Sequence, residues 1–471
     1  MSDLPENWIT TEIGGLCSLK NGRAFKPSEW QTSGLPIVRI QNLNNPASVF
    51  NYFQGEVDER NRLRGGELLF AWSGTPGTSF GAHVWRGGDA VLNQHIFRVD
   101  FDEALLDKRF FRSAINQKLS ELIDVAHGGV GLRHVTKGVF EKTLVALPPR
   151  PEQTRIANQL DTLLTRVQAC NDRFDAIPAL LKRFRNSVLA AAVSGRLTGD
   201  LRSEDSITSN STTSSLWRIP ASWRWLRADE VTGFITKGTT PSKEKMTSGS
   251  GEIPYIKVYN LGFDGRLDFS VDPTFVESIT HSVDLKRSIT LPGDVLMNIV
   301  GPPLGKVAIV PDSHQEWNIN QAIARFRPVQ GLLSPYLAHC LMSTELISYA
   351  VSQAKATVGQ LNLTLEICRA LPIPMPPEKE QTEIVRRVEA LFALADRIEA
   401  RCTAARTQAQ RLSPLVLAKA FRGELVPQDP NDEPASALLA RIASSNTAVA
   451  GKNKRKVPVA RKGRAQAAIN L

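Results

Sequence analysis

Residues 148–154 read Pro-Pro-Arg-Pro-Glu-Gln-Thr, and residues 376–382 read Pro-Pro-Glu-Lys-Glu-Gln-Thr. The match continues on both sides, because residues 130–197 align without a gap to residues 358–425 with 19 identities in 68 positions. Chance, at ordinary residue usage, would supply about four identities. The chain is therefore an internal duplication, and we expect one structural unit built twice.

Four more paired segments extend the duplication toward the start of each half. They are LPENW at 4–8 and IPASW at 219–223, PIVRIQNL at 36–43 and PYIKVYNL at 254–261, GELL at 66–69 and GDVL at 293–296, and LNQHI at 92–96 and INQAI at 319–323. A polar, Ser/Thr-rich stretch at residues 201–216 separates the halves. Its composition predicts a flexible linker.

Each half combines a mixed part with a long helical part. Short β-rich runs with Gly, Pro and Asn turns, followed by a helical stretch, predict an α+β globule over residues 1–147 and another over 217–375. Apolar residues then recur at steps of four and three, which predicts long spacer helices over 148–200 and 376–428. We therefore predict an α+β fold in which two similar domains are separated by two long antiparallel helices and related by a pseudo-two-fold.

The two apolar seams predict that the long helices pack on each other. The first seam is bulky where the second has small residues, so the pair can close without voids. The residues expected in this packing are Ile156, Leu160, Leu163, Phe174, Leu181, Phe184, Ile384, Leu391, Ile398 and Leu412. Pro178 and Pro414 predict local kinks or breaks, because each removes a helical hydrogen bond. The alternative is that each helix packs on its own globule.

The positive charge of the chain is concentrated at its end. The 471 residues carry 57 basic and 47 acidic side chains, which gives a formal net charge of +10. Seven basic residues and no acidic residue lie in 451–471, which leaves +3 for residues 1–450. We expect residues 429–471 to form a disordered basic tail, either adding nonspecific DNA affinity or inert. The mildly basic remainder does not by itself predict general DNA affinity.

Several protein classes are disfavoured. The start of the chain lacks the basic and apolar regions of a signal peptide, and no apolar run reaches the ~18 residues of a membrane span. The five cysteines include no Cys-x-x-Cys pair, which argues against structural zinc and a secreted disulfide framework. We therefore expect a cytoplasmic protein with reduced thiols.

The sequence contains no complete catalytic motif. Residues 301–307 resemble a phosphate-binding loop, but the spacing between the glycines is one residue short and the motif ends in valine. No Gly-x-Gly-x-x-Gly follows a predicted strand, and no Asn-Pro-Pro-aromatic segment is present. Residues 284–286 read Asp-Leu-Lys, which fits the Asp/Glu-x-Lys part of a nuclease metal site. Such triplets are too common to indicate a nuclease. We expect no catalytic residue, no metal and no cofactor in this chain.

Both globules carry amide and basic side chains on turn-rich segments. Such side chains can pair with base edges and grip phosphates, although they equally suit solvated loops in which asparagine serves turn geometry. The candidate DNA-binding residues are Lys20, Asn21, Arg23, Arg39, Gln41, Asn42, Asn93, Gln94, Arg133, His134, Lys237, Thr239, Lys243, Lys257, Tyr259, Asn260, Asn320, Gln321 and Asn362.

The paired motifs, present twice in the same order, resemble the specificity subunit of type I restriction–modification systems. The resemblance covers about residues 4–430 and rests on the Leu/Ile-Pro-x-x-Trp opening, the Ile-Pro-Tyr-Ile-Lys-Val-x-Asn segment, Gly-Glu/Asp-Leu/Val-Leu, Asn-Gln and Pro-Pro-x-x-Glu-Gln-Thr. It implies two target recognition domains that each read half of a split site in double-stranded DNA. It also implies spacer helices that fix the gap and dock two copies of the modification (methyltransferase) subunit.

The resemblance further implies that this chain is a non-catalytic subunit. S-adenosylmethionine, ATP and Mg²⁺ would then be bound by the partner subunits, including restriction subunits with translocase activity. On the residues alone, a protein-only scaffold with two partner-binding modules remains an alternative, and a nuclease is disfavoured. Salt-dependent binding to duplex DNA would separate DNA recognition from the scaffold.

The duplication also sorts the candidate residues. The two halves of a split site usually differ in sequence, so residues that read bases should differ between the domains, whereas shared residues should build the scaffold or hold phosphate. Differing pairs are Arg23/Thr239, Gln41/Tyr259, Arg133/Leu361 and His134/Asn362. Shared pairs are Arg39/Lys257, Asn42/Asn260, Asn93/Asn320, Gln94/Gln321, Gly131/Gly359 and Thr136/Thr364.

Overall fold

The computed structural model describes residues 4–45, 48–74, 80–124, 133–202, 216–354 and 362–454. The chain divides into two compact units: unit 1 comprises Met1–Asp172 and Arg406–Leu471, and unit 2 comprises Arg173–Ala405. Each unit holds one mixed α+β domain together with part of both long helices.

Unit 1 contains domain 1, which runs from β1 to β12. Its strands are β1 (Ile9–Glu12), β2 (Ser18–Asn21), β3 (Leu35–Val38), β4 (Asn51–Phe53), β5 (Arg62–Leu63), β6 (Leu68–Ala71), β7 (Ser73–Gly74), β8 (Gly81–Val84), β9 (Ala90–Leu92), β10 (Ile96–Asp100), β11 (Arg133–His134) and β12 (Leu144–Leu147). Its helices are α1 (Ile13–Leu16), α2 (Ile40–Asn44), α3 (Lys108–Gln117), α4 (Leu119–Asp124) and α5 (Lys137–Lys142). Two four-stranded sheets, β2-β10-β6-β8 and β4-β3-β9-β5, accompany the pairs β1-β12 and β7-β11.

The first long helix, α6 (Arg150–Val193), leads to domain 2, which runs from β13 to β22. Its strands are β13 (Arg224–Arg227), β14 (Thr236–Lys237), β15 (Met246–Ser248), β16 (Ile253–Ile256), β17 (Thr274–Val276), β18 (Val295–Asn298), β19 (Val307–Ile309), β20 (Asn318–Ile319), β21 (Ile323–Phe326) and β22 (Pro372–Met375). The remaining helices are α7 (Ala228–Val231), α8 (Ser334–Met342), α9 (Thr344–Gln353), α10 (Leu365–Arg369), the second long helix α11 (Glu378–Phe421) and α12 (Ala435–Lys454). Short 3₁₀ or π-helical turns lie at Pro27–Glu29, Glu59–Asn61, Arg196–Leu201, Lys243–Lys245, Val258–Asn260, Thr280–Asp284 and Lys286–Ser288.

The two domains share one strand arrangement. In domain 1, β10 pairs with β2 and β6, and β3 runs parallel to β9. In domain 2, β21 pairs with β14 and β18, and β16 runs parallel to β20. The predicted α+β fold with repeated domains is therefore confirmed.

A close backbone approach recurs at one glycine in each domain. A Cβ atom on Gly22 would lie 2.1 Å from the carbonyl oxygen of Asn93, and one on Gly238 would lie 1.9 Å from that of Ile319. No side chain fits at either position, so both domains keep glycine there. The match also places Arg23 and Thr239 at equivalent positions, directly after these glycines.

The glutamine of the Pro-Pro-x-x-Glu-Gln-Thr motif has a tertiary role. The buried Gln153 accepts a hydrogen bond from the Asp107 N–H at 2.9 Å and donates one to the Pro148 carbonyl at 3.0 Å. In unit 2, Gln381 accepts from the Leu333 N–H at 3.0 Å and donates to the Pro376 carbonyl at 3.2 Å. The amide therefore joins the start of the long helix to the start of α3 or α8, with both of its groups satisfied.

The glutamate of the same motif joins the long helix to the opening segment of the domain. The Trp8 indole N–H donates to Glu152 at 2.9 Å, and the Trp223 indole N–H donates to Glu380 at 3.0 Å. This contact explains why the Leu/Ile-Pro-x-x-Trp opening and the helix motif occur together in both halves. An acid in the first turn also suits the helix dipole.

The long helices occur where the sequence predicts them, with narrower bounds. The predicted spacers at 148–200 and 376–428 correspond to α6 and α11. Pro178 and Pro414 lie inside these continuous helices, so the breaks considered from the sequence are not found. Most of the predicted linker, residues 203–215, lies outside the described residues.

Within unit 2 the two long helices run antiparallel. Arg185 of α6 contacts Asp396 and Glu399 of α11 at 2.8 and 2.9 Å. Beyond the end of α6, Asp200 contacts Arg387, nearer the start of α11, at 2.6 Å. The end of α6 therefore lies beside the start of α11.

Within unit 1 the start of α6 lies beside the end of α11. Ile156 and Leu160 near the start of α6 share one hydrophobic core with Ala420 and Phe421 at the end of α11. Both helices thus pack on the domain as well as on each other, so the two interpretations left open by the sequence each hold in part.

The predicted seam is buried only in part. Ile156, Leu160, Leu181 and Ile384 are buried, and Leu163, Phe174 and Leu391 are half-buried. Three predicted packing residues are instead exposed: Phe184 by 37%, Ile398 by 40% and Leu412 by 47%. A two-helix pair lacks a third layer, which leaves these three side chains partly uncovered.

The prediction of a disordered tail from residue 429 is corrected for residues 435–454. These residues form α12, and Ala435, Leu438 and Ile442 are buried in the core of unit 1 beside α1. Their spacing is helical, and burying them offsets the entropy of ordering the segment. Residues 455–471 lie outside the described residues.

Candidate nucleic-acid interface

Three predicted residues of domain 1 line one open groove. Lys20, Asn21 and Arg23 share a cavity of about 760 Å³ with Arg60 and Asn61, which the sequence did not single out. The groove is not purely basic, because Lys20 lies 2.6 Å from Asp100 and Arg23 pairs with Glu29. Phosphate binding here would exchange these carboxylates for phosphate oxygens.

The Arg23 guanidinium is held between rings. Its carbon atom lies 4.8 Å from the ring centre of Phe25 and 4.7 Å from that of Phe53. Such stacking limits the orientations of the planar fork. The Arg23 side chain is therefore held in a limited set of orientations at the groove wall.

Arg39 is packed on an aromatic ring that sequence reasoning missed. Its guanidinium carbon lies 5.4 Å from the centre of the Trp30 ring, and Trp30 is 40% exposed. The Arg39 Nε atom has no partner among the described residues. A half-buried, ring-supported guanidinium with an unpartnered nitrogen suits contact with a phosphate or a guanine edge.

The shared asparagines Asn42 and Asn260 were candidates for DNA contact with a scaffold role left open, and the structure places them in the scaffold. Their exposed fractions are 4% and 1%, respectively. Asn42 accepts from the Arg39 N–H at 3.1 Å and donates to the Ser48 carbonyl at 3.3 Å. With its groups satisfied internally, a buried amide of this kind orders the following loop and cannot reach a base.

Asn260 repeats this geometry in domain 2. It accepts from the Lys257 N–H at 2.9 Å and donates to the Asp268 and Val271 carbonyls at 3.0 and 2.8 Å. The neighbouring side chains differ: Gln41 in domain 1 and Tyr259 in domain 2 are both exposed. The two domains therefore share the backbone of this short helical turn, whereas the exposed side chain on it differs.

Lys257 and Tyr259 form a local cluster with Asp272. The Tyr259 hydroxyl donates to the Asp272 carboxylate at 2.6 Å, and the Lys257 Nζ atom lies 5.5 Å from the Tyr259 ring centre and 3.8 Å from Asp272. The tyrosine hydroxyl is thus already occupied. Its ring face and the lysine remain as the groups available to nucleic acid.

The other predicted residues of domain 2 are spread over several segments. Lys237, Thr239, Lys243, Gln321 and Asn362 are exposed, and Asn320 is half-buried. Lys237 ends β14, and Lys243 begins a 3₁₀ turn. The structure places them at the surface, where DNA contact stays a prediction.

The last group of predicted residues in domain 1 gathers around Trp72. Gln94 follows the buried Asn93, and the His134 ring lies 5.8 Å from the Trp72 ring. Arg133 belongs to β11, but its side chain lies outside the described residues. Trp72 aligns with Ile299, so the rule that reading residues differ between halves could have identified it.

The described residues offer little chemistry beyond binding. No group of three or more His, Cys, Asp or Glu side chains among them is placed to hold a metal ion. Burial raises the pKa of the Cys17, Cys340 and Cys368 thiols to about 12, so these thiols are protonated at neutral pH. No helix in the described ranges has the length and hydropathy needed to cross a membrane.

Known proteins resemble this chain over most of its length. The EcoBI type I restriction enzyme specificity subunit of Escherichia coli is 32% identical over 463 residues, which cover 95% of this chain and 94% of that protein. The EcoKI specificity subunit of Escherichia coli strain K12 is 27% identical, with 95% and 97% of the two chains covered.

Solved structures show the same fold. The HsdS subunit from Thermoanaerobacter tengcongensis gives a TM-score of 0.57 at 18% identity, with 90% of this chain and 98% of that chain covered. A chain from a structural study of complex assembly and conformational transition in a type I R-M system gives 0.65 at 18% identity, with 90% and 100% covered.

A family model confirms the duplication. The model described as type I restriction modification DNA specificity domain matches residues 5–177 and again residues 220–404. These matches contain the two openings from their prolines onward, the two Asn-Gln turns and the two helix motifs. The chain therefore belongs to the type I restriction–modification DNA specificity family and carries the domain of that family twice.

Proposed function

We propose that this chain reads a bipartite, asymmetric DNA site, with domain 1 contacting one half-site and domain 2 the other. The observation that carries the proposal is a shared backbone with different side chains presented from it. The buried Asn42 and Asn260 cap the same short helical turn, and this turn presents Gln41 in one domain and Tyr259 in the other. Two domains of one design that expose different side chains can read two different sequences.

Basic side chains at the same surfaces supply the phosphate contacts that position the domains. Lys20, Arg23 and Arg39 serve domain 1, and Lys237 and Lys257 serve domain 2. Phosphate contacts fix register and orientation, while base contacts specify sequence. The folded chain is only mildly basic, so we expect its affinity to be completed by partner subunits.

Exposed apolar side chains on the long helices support docking of the modification (methyltransferase) subunit. In unit 2, Leu394 and Ile398 line a shallow depression of about 540 Å³ together with Arg397 and Arg401. In unit 1, Leu412 and Leu415 are 47% and 59% exposed. Apolar patches rimmed by charge are typical of protein–protein contacts. Two units with such a helical surface suit two copies of the partner.

We infer that catalysis resides in the partners. This chain would bind no cofactor, and S-adenosylmethionine, ATP and Mg²⁺ would be bound by modification and restriction subunits in a cytoplasmic complex. The sequence lacks the motifs that these ligands require, which supports the division of labour. Assigning restriction subunits rests on the relatives, whose names describe restriction enzymes.

The test is methylation mapping. This chain is co-expressed with its cognate modification subunit in a methylation-free host, and modified bases are read by long-read sequencing. We expect a two-part motif with a fixed gap that disappears when this chain is omitted. A soluble complex that adds no methylation would contradict the proposal and favour a protein-only scaffold.

Replacing Gln41 by alanine should relax specificity in one half-site only. Gln41 is exposed on α2, and losing a bidentate base contact costs about 1–3 kcal/mol of discrimination. Binding titrations against matched and singly mismatched duplexes measure the change. Gln168→Ala, which removes an exposed glutamine of α6, is the matched control. An unchanged preference in the Gln41 variant would defeat the assignment.

Replacing Lys257 by alanine should weaken binding to all sequences alike. The loss of one phosphate contact should flatten the dependence of log affinity on log salt concentration by about one unit. Titrations at several salt concentrations measure the slope, and Lys379→Ala, on the exposed first turn of α11, is the control. A change confined to one base pair would instead show that Lys257 reads sequence.

A further inference from the structure

The strongest unexplained feature of domain 1 is a cluster of aromatic and imidazole rings. The Trp72 ring lies 5.4 Å from the His95 ring and 5.8 Å from the His134 ring, and it stacks on Phe97 at 5.5 Å. The Gln94 Nε2 atom lies 3.2 Å from the His95 Nε2 atom. Three distant parts of the sequence thus converge on one spot.

The cluster contains an unusual concentration of unsatisfied polar atoms. Trp72 Nε1, Gln94 Oε1, His95 Nδ1 and His134 Nδ1 are each covered, and none has a hydrogen-bond partner among the described residues. Covered polar groups in folded proteins are almost always paired, because an unpaired one loses its hydration without compensation. Four such atoms on adjoining side chains indicate a site completed by a ligand.

Domain 2 has the same backbone at this place without the rings. In domain 1, the Trp72 N–H donates to the His95 carbonyl at 3.3 Å, and the Val135 N–H donates to the Trp72 carbonyl at 2.9 Å. In domain 2, Ile299 makes the matching bonds, donating to Ala322 at 2.9 Å and accepting from Leu363 at 2.8 Å.

This correspondence assigns a counterpart to each ring. Trp72, His95 and His134 correspond to Ile299, Ala322 and Asn362. The pairing of β7 with β11 in domain 1 matches the bridge between Val300 and Asn362 in domain 2. Domain 2 forms the same backbone with isoleucine, alanine and asparagine at these positions, so folding does not require the three rings. The rings therefore serve something particular to domain 1.

We propose that Trp72, His95 and His134 form a base-reading element for the half-site contacted by domain 1. This inference rests on the proposed DNA-recognition function and names residues of its site. Trp72 and His95 become specificity-determining residues, and Gln94 adds an acceptor to the same contact although Gln321 shares its position in domain 2.

The unsatisfied atoms also select the kind of contact. The indole N–H of Trp72 can only donate, and the amide oxygen of Gln94 can only accept. Phosphate oxygens only accept hydrogen bonds, so a phosphate would leave the amide oxygen of Gln94 without a donor. The major-groove edge of a base pair presents acceptors and donors together, so it can satisfy both atoms when the half-buried Trp72 and Gln94 side chains turn toward the DNA.

The imidazoles suit the same contact. Burial lowers the pKa of His95, and the adjacent His134 contributes to the lowering. At neutral pH the His95 ring is therefore uncharged, with one donor and one acceptor nitrogen. An uncharged ring reads the pattern of a base edge rather than the charge of the backbone.

The test replaces each ring with its counterpart in domain 2. Trp72→Ile, His95→Ala and His134→Asn are made in the full chain and assembled with the cognate modification subunit. Methylation mapping and competition between matched and singly mismatched duplexes are the measurements. His83→Ala is the control, because His83 also has an unpartnered covered nitrogen in domain 1 but lies in β8, outside the cluster.

We expect discrimination at one or two base pairs of one half-site to fall about tenfold or more, with the other half-site and the gap unchanged. His83→Ala should keep the full motif. If Trp72→Ile unfolds, His95→Ala and His134→Asn decide, since they leave the Trp72–Phe97 stack intact.

Two results would overturn the inference, and they are distinguishable. A wild-type complex with a two-part motif, and unchanged preferences in His95→Ala and His134→Asn, would overturn the reading element alone. A wild-type complex that shows no two-part motif would overturn the proposed function and this inference with it.

Discussion

Glu380→Ala should destabilise unit 2 by about 3–5 kcal/mol, as expected when one partner of a largely buried ion pair is removed. The Glu380 carboxylate accepts from the Trp223 indole at 3.0 Å and from the Thr198 hydroxyl at 2.7 Å, and it pairs with Arg202. The side chains of Arg202 and Glu380 are 16% and 11% exposed. Alanine leaves a guanidinium, an indole N–H and a hydroxyl without their acceptor.

Urea denaturation followed by circular dichroism measures this loss. Glu378→Ala is the matched control, because Glu378 lies in the same first turn of α11 and is exposed. It should cost only the helix-dipole contribution, about 0.3–1 kcal/mol. Equal effects of the two substitutions would show that the Glu380 contacts contribute nothing beyond the dipole.

The corresponding change in unit 1, Glu152→Ala, should cost less. Glu152 accepts from the buried Trp8 at 2.9 Å and from Gln428 at 2.7 Å, and Gln428 is exposed and can return to water. The loss is therefore close to that of one hydrogen bond to a charged group, about 1.5–3 kcal/mol. A larger loss for Glu152→Ala than for Glu380→Ala would contradict this ranking.

Lowering the pH from about 6.5 to about 4 should reduce the stability of the protein by roughly 3 kcal/mol through His339 alone. Burial lowers the pKa of His339 to about 4, and its Nδ1 atom has no partner among the described residues. The unfolded chain takes up a proton at His339 below about pH 6.5, whereas the folded chain resists doing so until about pH 4. The contribution is thus fully present above about 6.5 and is lost toward 4.

Comparison with His339→Leu isolates this effect. Leucine keeps an apolar contact with Phe392, whose ring lies 6.3 Å from that of His339, and cannot be protonated. The unfolding free energy of the variant, measured by urea titration at several pH values, should gain roughly 3 kcal/mol on the wild type across the window. His314→Asn, at an exposed histidine, is the control. Parallel curves for wild type and His339→Leu would refute the assignment.

Much of the fold followed from periodicity and duplication. The repeat required two similar domains, and the four-and-three spacing of apolar residues required long helices, because these patterns are local properties of the chain. The helix ends and the exposed residues Phe184, Ile398 and Leu412 did not follow, since spacing shows which face is apolar and not how much of it a neighbour covers. The same limit applies to α12, because the polar and basic composition of the last residues outweighed the few apolar residues of its buried face.

The candidate site shows the same division more sharply. Gln41 and Asn42 are consecutive amide residues, and the duplication separated them only into a differing and a shared position, which left phosphate contact open for Asn42. In the structure one side chain is exposed and the other is buried with its hydrogen bonds satisfied. Burial depends on where the following loop returns, which is a long-range property.

The sequence by itself determined that this protein is built twice, that each half joins an α+β domain to a long helix, and that its family is one of DNA specificity proteins. Only the tertiary structure decided what the shared motifs do. Glu152 and Glu380 hold the tryptophans of the openings, and Trp72, His95 and His134 meet although 62 positions separate the first from the last. The physical reason is that local patterns select helices and strands, whereas strand pairing between distant segments brings together the side chains that form a site.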